Sequence, residues 1–352
     1  MGVWVHALET ALPEHAIGNE EAAARLRPFL GTDGQGEALL AQVFQNAGIE
    51  RRHLARPAAF YLSETSLSAR NGAYEEVARE LSIEAARRAL EAAGVAPGEV
   101  DVVIDTSCTG VMIPAIDVFV ANALGMRADV RRVPLTEAGC AAGATALWLA
   151  HDLLRARGQG TALVIAVELP SLTLQLDDAS RANLISAAIF GDGAAALVVS
   201  TRPPRGPGLE LLAQKTVLFP DTVDLMGFDL RSEGFRIVLS QRIPHLVAQR
   251  LRGEVEAFLA AQGRSLGELA FHALHPGGTK VLDGIRDALG LSEEQVASSR
   301  RVLRSYGNLS SASVHFVARD LLARGKVAPG ALGLLVAMGP GFTVELGLLR
   351  GA

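Results

Sequence analysis

Cys140 is the side chain in this sequence that is best suited to nucleophilic chemistry. It stands in the motif AGCAAG (residues 138–143), at the start of an Ala-rich stretch that predicts a helix over residues 140–154. A cysteine at a helix N-terminus lies among free N–H donors and at the positive end of the helix dipole, and both favour the thiolate. We therefore expect a nucleophilic thiol with a lowered pKa; a small core cysteine is the alternative.

Two further motifs carry side chains that can hold a developing negative charge. His275 begins the turn HPGG after a predicted strand at residues 269–274, and Asn308 lies in YGNLSS before a predicted helix over residues 309–323. Sites in α/β proteins lie at the carboxyl ends of strands, where a rigid turn fixes the direction of a side chain. Each residue also has a purely structural interpretation, because Asn is a common helix N-cap and most histidines are structural.

Cysteine, histidine and asparagine in this order are compatible with two kinds of reaction. In a cysteine protease, the histidine is the base and the asparagine orients it. In an enzyme that forms carbon–carbon bonds on thioesters, the cysteine takes the acyl group while histidine and asparagine donate hydrogen bonds to an oxyanion. The three residues alone leave both reactions open.

The elements that must position these side chains alternate between strands and helices, which predicts an α/β fold. Each half contains a strand, a helix opened by a Gly-bounded motif and two closing strands, which indicates two lobes related by a pseudo-twofold axis. The Pro- and Gly-rich stretch 202–208 divides the chain into lobes 1–201 and 202–352. Further helices are predicted over 82–93, 239–261 and 279–289, and further strands over 100–106, 161–167, 194–200, 332–337 and 343–349.

Composition excludes several classes of protein. A chain of 352 residues with 49% hydrophobic residues buries enough surface to fold without metal or disulfide staples, and two cysteines cannot build a disulfide framework or a four-cysteine zinc site. The net charge of -5 argues against nucleic-acid binding. No P-loop or dinucleotide fingerprint is present. No apolar run reaches about 18 residues. We expect a cytoplasmic enzyme with no membrane span, no metal and no resident cofactor.

Five motifs together resemble the type III polyketide synthases, the chalcone-synthase-like branch of the thiolase superfamily. In chain order they are GCAAG, FGDGAAALVV, HPGGTKVLDGI, YGNLSSASV and MGPGF. The resemblance runs over nearly the whole chain, and the HPGG form distinguishes it from the β-ketoacyl-carrier-protein synthases. It implies a thiolase-like five-layer αβαβα sandwich of two pseudo-symmetric lobes, and a homodimer.

The resemblance also implies roles for individual residues. Cys140 corresponds to the nucleophile, and His275 and Asn308 to the oxyanion donors. Phe190 corresponds to a gatekeeper between the substrate entrance and the cavity. The remaining implied substrate-binding residues are Cys108, Thr173 and Phe228 along the cavity wall, Ile237 near the starter end, Ser310 as a cavity-lining serine, and Arg52 near the entrance, where it would meet the phosphates of coenzyme A.

The implied reaction loads an acyl-CoA starter on Cys140 and extends it by decarboxylative condensation with malonyl-CoA. The product would be an alkylpyrone or a resorcinol-type ring, because segment 171–193 resembles most the bacterial alkylpyrone and alkylresorcinol synthases. An acyl carrier protein is a second potential donor of the starter. Two alternatives are a carrier-protein-dependent β-ketoacyl synthase that performs one condensation, and a catalytically silent scaffold subunit.

Overall fold

The structure, a computed structural model, describes residues 2–30, 34–63 and 66–352. Its strands are β1 (Trp4–Ala11), β2 (His15–Gly18), β3 (Arg51–Leu54), β4 (Val102–Ser107), β5 (Arg131–Thr136), β6 (Thr161–Glu168), β7 (Gly193–Ser200), β8 (Leu209–Leu218), β9 (Met226–Arg231), β10 (Gly234–Leu239), β11 (Leu269–Leu274), β12 (Leu332–Gly339) and β13 (Thr343–Gly351). Its helices are α1 (Asn19–Leu30), α2 (Gly34–Ala47), α3 (Ala58–Ser63), α4 (Leu67–Ala93), α5 (Ile116–Leu124), α6 (Ala142–Arg157), α7 (Arg181–Ile189), α8 (Ile243–Ala261), α9 (Thr279–Leu289), α10 (Glu293–Tyr306) and α11 (Ser313–Ala323). None of the helices in the described ranges is long and apolar enough to cross a membrane.

A mixed sheet of nine strands carries both halves of the fold, in the order β11-β12-β13-β8-β1-β7-β6-β4-β5. In the first half, β4 runs parallel to β6, while β6, β7 and β1 follow one another antiparallel. In the second half, β11, β12, β13 and β8 repeat the same sequence of directions. The halves meet where β1 pairs antiparallel with β8, with Trp4 opposite Glu210. This repetition is the pseudo-twofold relation that the sequence predicts.

Alternating side chains on the strands build five layers. On β7, Ala195, Leu197 and Val199 pack in one core with α6 and α11, while the intervening residues face α4. On β12, Leu335 and Ala337 face that same central core, and the opposite face of the strand packs with α8 and α9. Helices α6 and α11 therefore lie between the two halves of the sheet, and the predicted αβαβα sandwich is confirmed.

Most predicted elements are present with small shifts at their ends. The strand at 269–274 and the helix at 279–289 have the predicted boundaries. The helices predicted from residues 140 and 309 both open with a 3₁₀ turn, at 139–141 and 310–312. The helix predicted from residue 239 begins later, because residues 234–239 pair with β9 instead. Strand β7 ends and β8 begins on either side of the proline-rich stretch 202–208, and the division into two domains there stays a prediction.

Candidate active site

Cys140 lies in the 3₁₀ turn that leads into α6, and the glycines around it explain the motif. Gly139 has a φ of +58°, and a Cβ there would lie 2.4 Å from the ring of Pro340. A Cβ on Gly143 would lie 2.1 Å from the carbonyl oxygen of Ser311. The two glycines therefore let the turn approach both the loop after β12 and the start of α11, which places the Cys140 Sγ 3.3 Å from the Ser310 Oγ.

Asn308 is fixed by hydrogen bonds at both the oxygen and the nitrogen of its side-chain amide. Its Oδ1 accepts hydrogen bonds from the Ser310 N–H at 2.9 Å and from the Ser313 Oγ at 3.1 Å. Its Nδ2 donates to the carbonyl oxygen of Gly277 at 3.3 Å. Because an amide nitrogen carries two N–H groups, one donor remains after the contact with Gly277. Asn308 therefore stabilises the turn before α11, and within the described residues its second amide N–H has no acceptor.

His275 lies at the carboxyl end of β11, where the backbone holds it firmly. Its N–H donates to the carbonyl oxygen of Val336 at 2.8 Å, and its own carbonyl oxygen accepts from the Gly277 N–H at 3.0 Å. The side chain is buried, and its Nδ1 has no hydrogen-bond partner in the part of the chain that the structure describes. Burial lowers the pKa of His275 to about 4, because desolvation disfavours the charged imidazolium, so the imidazole is neutral at pH 7.

Burial raises the pKa of the Cys140 thiol, whereas it lowers the pKa of the His275 imidazole. It raises the pKa of Cys140 to about 12, although the hydrogen bond with Ser310 opposes part of the shift. The expectation that the helix N-terminus lowers this pKa is therefore wrong, because desolvation outweighs the favourable dipole. Burial therefore keeps Cys140 as a thiol at neutral pH, and its nucleophilic form requires loss of the thiol proton to a base.

Cys140, His275 and Asn308 line one cavity of about 1080 Å³. Five of the predicted substrate-binding residues line it as well, namely Cys108, Phe190, Phe228, Ile237 and Ser310. Phe228 on β9 and Ile237 on β10 are direct cross-strand partners, so the β9–β10 hairpin presents them as a pair to the cavity. Within the described residues, no group of three or more His, Cys, Asp or Glu side chains is arranged to hold a metal ion.

Thr173 and Arg52 do not lie where the sequence predicts. The buried Thr173 side chain donates to the carbonyl oxygen of Pro170 at 2.8 Å, and it is Pro170 that lines the cavity. Arg52 is 2% exposed and donates to a backbone carbonyl of the α7 end, a position that does not favour contact with coenzyme A phosphates. The exposed Lys280 at the start of α9 is a cationic residue that does line the cavity.

Glu168, at the end of β6, is a buried carboxylate that the sequence analysis missed. It accepts hydrogen bonds from the Ser311 Oγ at 2.6 Å, the Thr109 Oγ1 at 2.9 Å and the Cys108 N–H at 3.1 Å. Its Oε1 also lies 3.3 Å from the Ser310 Oγ, which in turn neighbours Cys140. Burial raises the pKa of Glu168. The available signal was a single acidic residue at the end of an otherwise apolar strand.

Comparison with known proteins agrees with this geometry. The family model for the N-terminal domain of chalcone and stilbene synthases matches residues 47–203, and the model for their C-terminal domain matches residues 210–352. The chain belongs to the chalcone and stilbene synthase family. It is a type III polyketide synthase, an acyltransferase-type enzyme that forms carbon–carbon bonds.

Individual relatives of the synthase are similar along nearly their whole length. A 1,3,6,8-tetrahydroxynaphthalene synthase from Streptomyces peucetius subsp. caesius is 41% identical over 99% of this chain and 93% of its own. A phloroglucinol synthase from Pseudomonas fluorescens is 30% identical over 95% of both chains. The crystal structure of the 1,3,6,8-tetrahydroxynaphthalene synthase from Streptomyces coelicolor superposes with a TM-score of 0.94 at 32% identity, over 99% of both chains.

Proposed function

We propose that the synthase loads an acyl group from acyl-CoA on Cys140 and extends it by decarboxylative condensation with malonyl-CoA. The observation that carries this proposal is the convergence of Cys140, His275 and Asn308 on one large cavity of about 1080 Å³. Such a cavity holds a growing chain and keeps water from its reactive intermediates. His275 and Asn308 supply hydrogen-bond donors where negative charge develops.

Loading begins with the thiol proton. The neutral His275 takes the proton from Cys140 in the same step in which the sulfur attacks the thioester carbonyl of the starter, so that no free thiolate–imidazolium pair has to form. The tetrahedral oxyanion accepts hydrogen bonds from the Asn308 amide and the His275 ring. When the intermediate collapses, the bond to the sulfur of coenzyme A breaks, and His275 returns the proton to that leaving thiolate. The acyl group remains on Cys140 as a thioester.

Extension uses the same two donors. Malonyl-CoA loses carbon dioxide, and the electron pair of the broken bond becomes an enolate whose oxygen accepts hydrogen bonds from Asn308 and His275. No strong base is needed, because decarboxylation itself generates the carbanion. The carbanion attacks the acyl carbonyl on Cys140, and the bond to Sγ breaks. The product is a β-ketoacyl-CoA that can be loaded again.

The ring that closes at the end is a narrower proposal. Aliphatic starters with few extensions would give alkylpyrones or resorcinol-type products, as the sequence suggests. The similarity to tetrahydroxynaphthalene and phloroglucinol synthases favours a second candidate, a polyhydroxylated aromatic product. Chromatography and mass spectrometry of products from malonyl-CoA alone, and from malonyl-CoA with a series of acyl-CoA starters, distinguish the two candidates. Products with one condensation only would support the β-ketoacyl synthase instead, and the absence of acyl transfer would support a scaffold subunit.

A homodimer is part of the same proposal. Ile113 and Val111, on the loop between β4 and α5, are 93% and 54% exposed; exposed apolar side chains grouped on one loop favour an interface where they form a continuous patch. Light scattering during gel filtration tests it: a dimer is expected, and a monomer at micromolar concentration would contradict it. The cytoplasmic location and an acyl carrier protein as starter donor stay predictions.

A further inference from the structure

Arg52 is a buried cation that lies outside the catalytic cavity. It belongs to β3 and lines only a small cavity of about 70 Å³, which Phe190 also borders. Within the described residues no carboxylate lies within ion-pair distance of its guanidinium. Burial lowers the pKa of Arg52 to about 10, and longer-range attraction to Asp192 opposes only part of that shift. Burying a charge without a close counter-ion is unfavourable unless hydrogen bonds compensate. The contacts of this side chain therefore need an explanation.

The guanidinium holds the C-terminal end of α7. Its Nη1 donates to the carbonyl oxygen of Ala187 at 2.5 Å and lies 3.5 Å from that of Phe190. The last carbonyls of a helix lack partners within the helix, and the helix dipole places partial negative charge there. The Arg52 Nη2 donates to the Asn19 Oδ1. The Asn19 Nδ2 in turn donates to the carbonyl oxygen of Phe44 at 2.8 Å. Arg52 thus joins the α7 end to the start of α1.

The α7 end is in turn bonded to the oxyanion donor. The Asn308 N–H donates to the carbonyl oxygen of Ile189 at 2.7 Å, and the Gly191 N–H donates to the carbonyl oxygen of Asn308 at 3.1 Å. Phe190 and Asn308 are therefore neighbours in a short parallel bridge. A displacement of the α7 end would move both the Phe190 ring on the cavity wall and the Asn308 amide.

We propose that Arg52 is a positioning residue that fixes the α7 end, and with it Phe190 and the donor of Asn308, in the geometry that decarboxylation and condensation require. This inference rests on the proposed function. A misplacement of about 1 Å in a catalytic group can reduce turnover about 10²-fold. Because the guanidinium does not line the catalytic cavity, its loss should change kcat and leave KM for malonyl-CoA unaltered.

The test compares Arg52→Lys and Arg52→Met with the control Arg51→Met. Lys retains the charge but concentrates its donors on one atom, so it cannot serve the α7 carbonyls and Asn19 together. Arg51 precedes Arg52 on the same strand and its side chain is exposed. We measure kcat and KM for malonyl-CoA decarboxylation in each variant. Both Arg52 variants should lose at least about tenfold in kcat with KM unchanged, within the range of a misplaced catalytic group, and Arg51→Met should match the wild type.

Two measurements separate positioning from folding. Each kcat is divided by the fraction of Cys140 that an acyl-CoA label can modify, so that unfolded protein does not count. In Arg52→Ala, added guanidinium ion at non-denaturing concentration should restore part of the lost kcat, and ammonium should not. A normalised kcat equal to that of the wild type in Arg52→Lys and Arg52→Met would overturn the inference. A wild type that never decarboxylates malonyl-CoA would overturn the proposed function instead.

Discussion

Replacing Asn308 distinguishes an oxyanion donor from a residue that only stabilises a turn. In the Asn308→Ala variant the Nδ2 donor is lost, and the Ser310 N–H and Ser313 Oγ lose the acceptor they share. In Asn308→Asp an oxygen remains in the place of Oδ1, so that both of these contacts persist. The second carboxylate oxygen cannot donate at neutral pH, and it would face the Gly277 carbonyl.

The expected magnitudes follow from these contacts. Loss of one oxyanion donor reduces the rate about 10²–10³-fold, or about 2.7–4 kcal/mol. Each buried donor left without a partner costs about 1–3 kcal/mol of stability, so Asn308→Ala should lose about 2–6 kcal/mol in the free energy of unfolding. Asn308→Asp should lose less stability and a similar amount of rate.

The assay follows release of labelled carbon dioxide from malonyl-CoA, with acyl loading of Cys140 measured separately by intact-protein mass spectrometry. Thermal unfolding of the same samples gives the stability. If Asn308→Asp regained both the stability and the decarboxylation rate of the wild type, Asn308 would be a capping residue only, and the donor role would be wrong.

Two further substitutions test the cavity and the buried histidines. Phe228→Ala should enlarge the cavity beside Ile237 and shift the products towards longer or further extended chains. Acyl loading of Cys140 should stay unchanged. An unaltered product distribution in mass spectrometry would count against a position of Phe228 on the cavity wall. Burial lowers the pKa of His272 from 6.5 to about 4. Between these two pH values the unfolded chain binds a proton at His272 and the folded chain does not. The free energy of unfolding therefore decreases as the pH falls from 6.5 towards 4. His272→Leu should remove that loss of stability, which is about 3 kcal/mol at most. The melting temperature of the variant should therefore fall less than that of the wild type between pH 7 and pH 4.5. An equal fall in melting temperature for both proteins over that range would contradict the assignment.

Cys140, His275 and Asn308, which line one cavity, could be singled out from the sequence because each lies in a local turn motif. The glycines beside Cys140 and His275, and the YGNLSS run around Asn308, mark turns where a strand or loop enters a helix, and neighbouring residues determine such turns. The alternation of strands and helices likewise predicted the two lobes. These features depend on short-range steric and hydrogen-bonding rules, which a sequence displays directly.

What the sequence could not show depends on contacts between distant segments. Arg52 was expected near the substrate entrance, but its hydrogen-bond partner Ala187 on α7 lies 135 positions away along the chain, and no local pattern shows that contact. The bonding of Glu168 to Ser311 spans 143 positions. The pKa of Cys140 is raised because distant segments of the chain bury the thiol, and no local motif shows that burial.

The central claim is that Cys140 carries the growing chain while malonyl-CoA supplies its extensions. Intact-protein mass spectrometry of the wild type, quenched at short times after mixing with an acyl-CoA starter and then malonyl-CoA, tests it directly. The account predicts first the mass of the starter acyl group on Cys140, then species heavier by successive two-carbon ketide units, and neither in Cys140→Ala with unchanged melting temperature. Acyl groups on the Cys140→Ala protein, or a wild type that loads the starter and never gains a ketide unit, would contradict it.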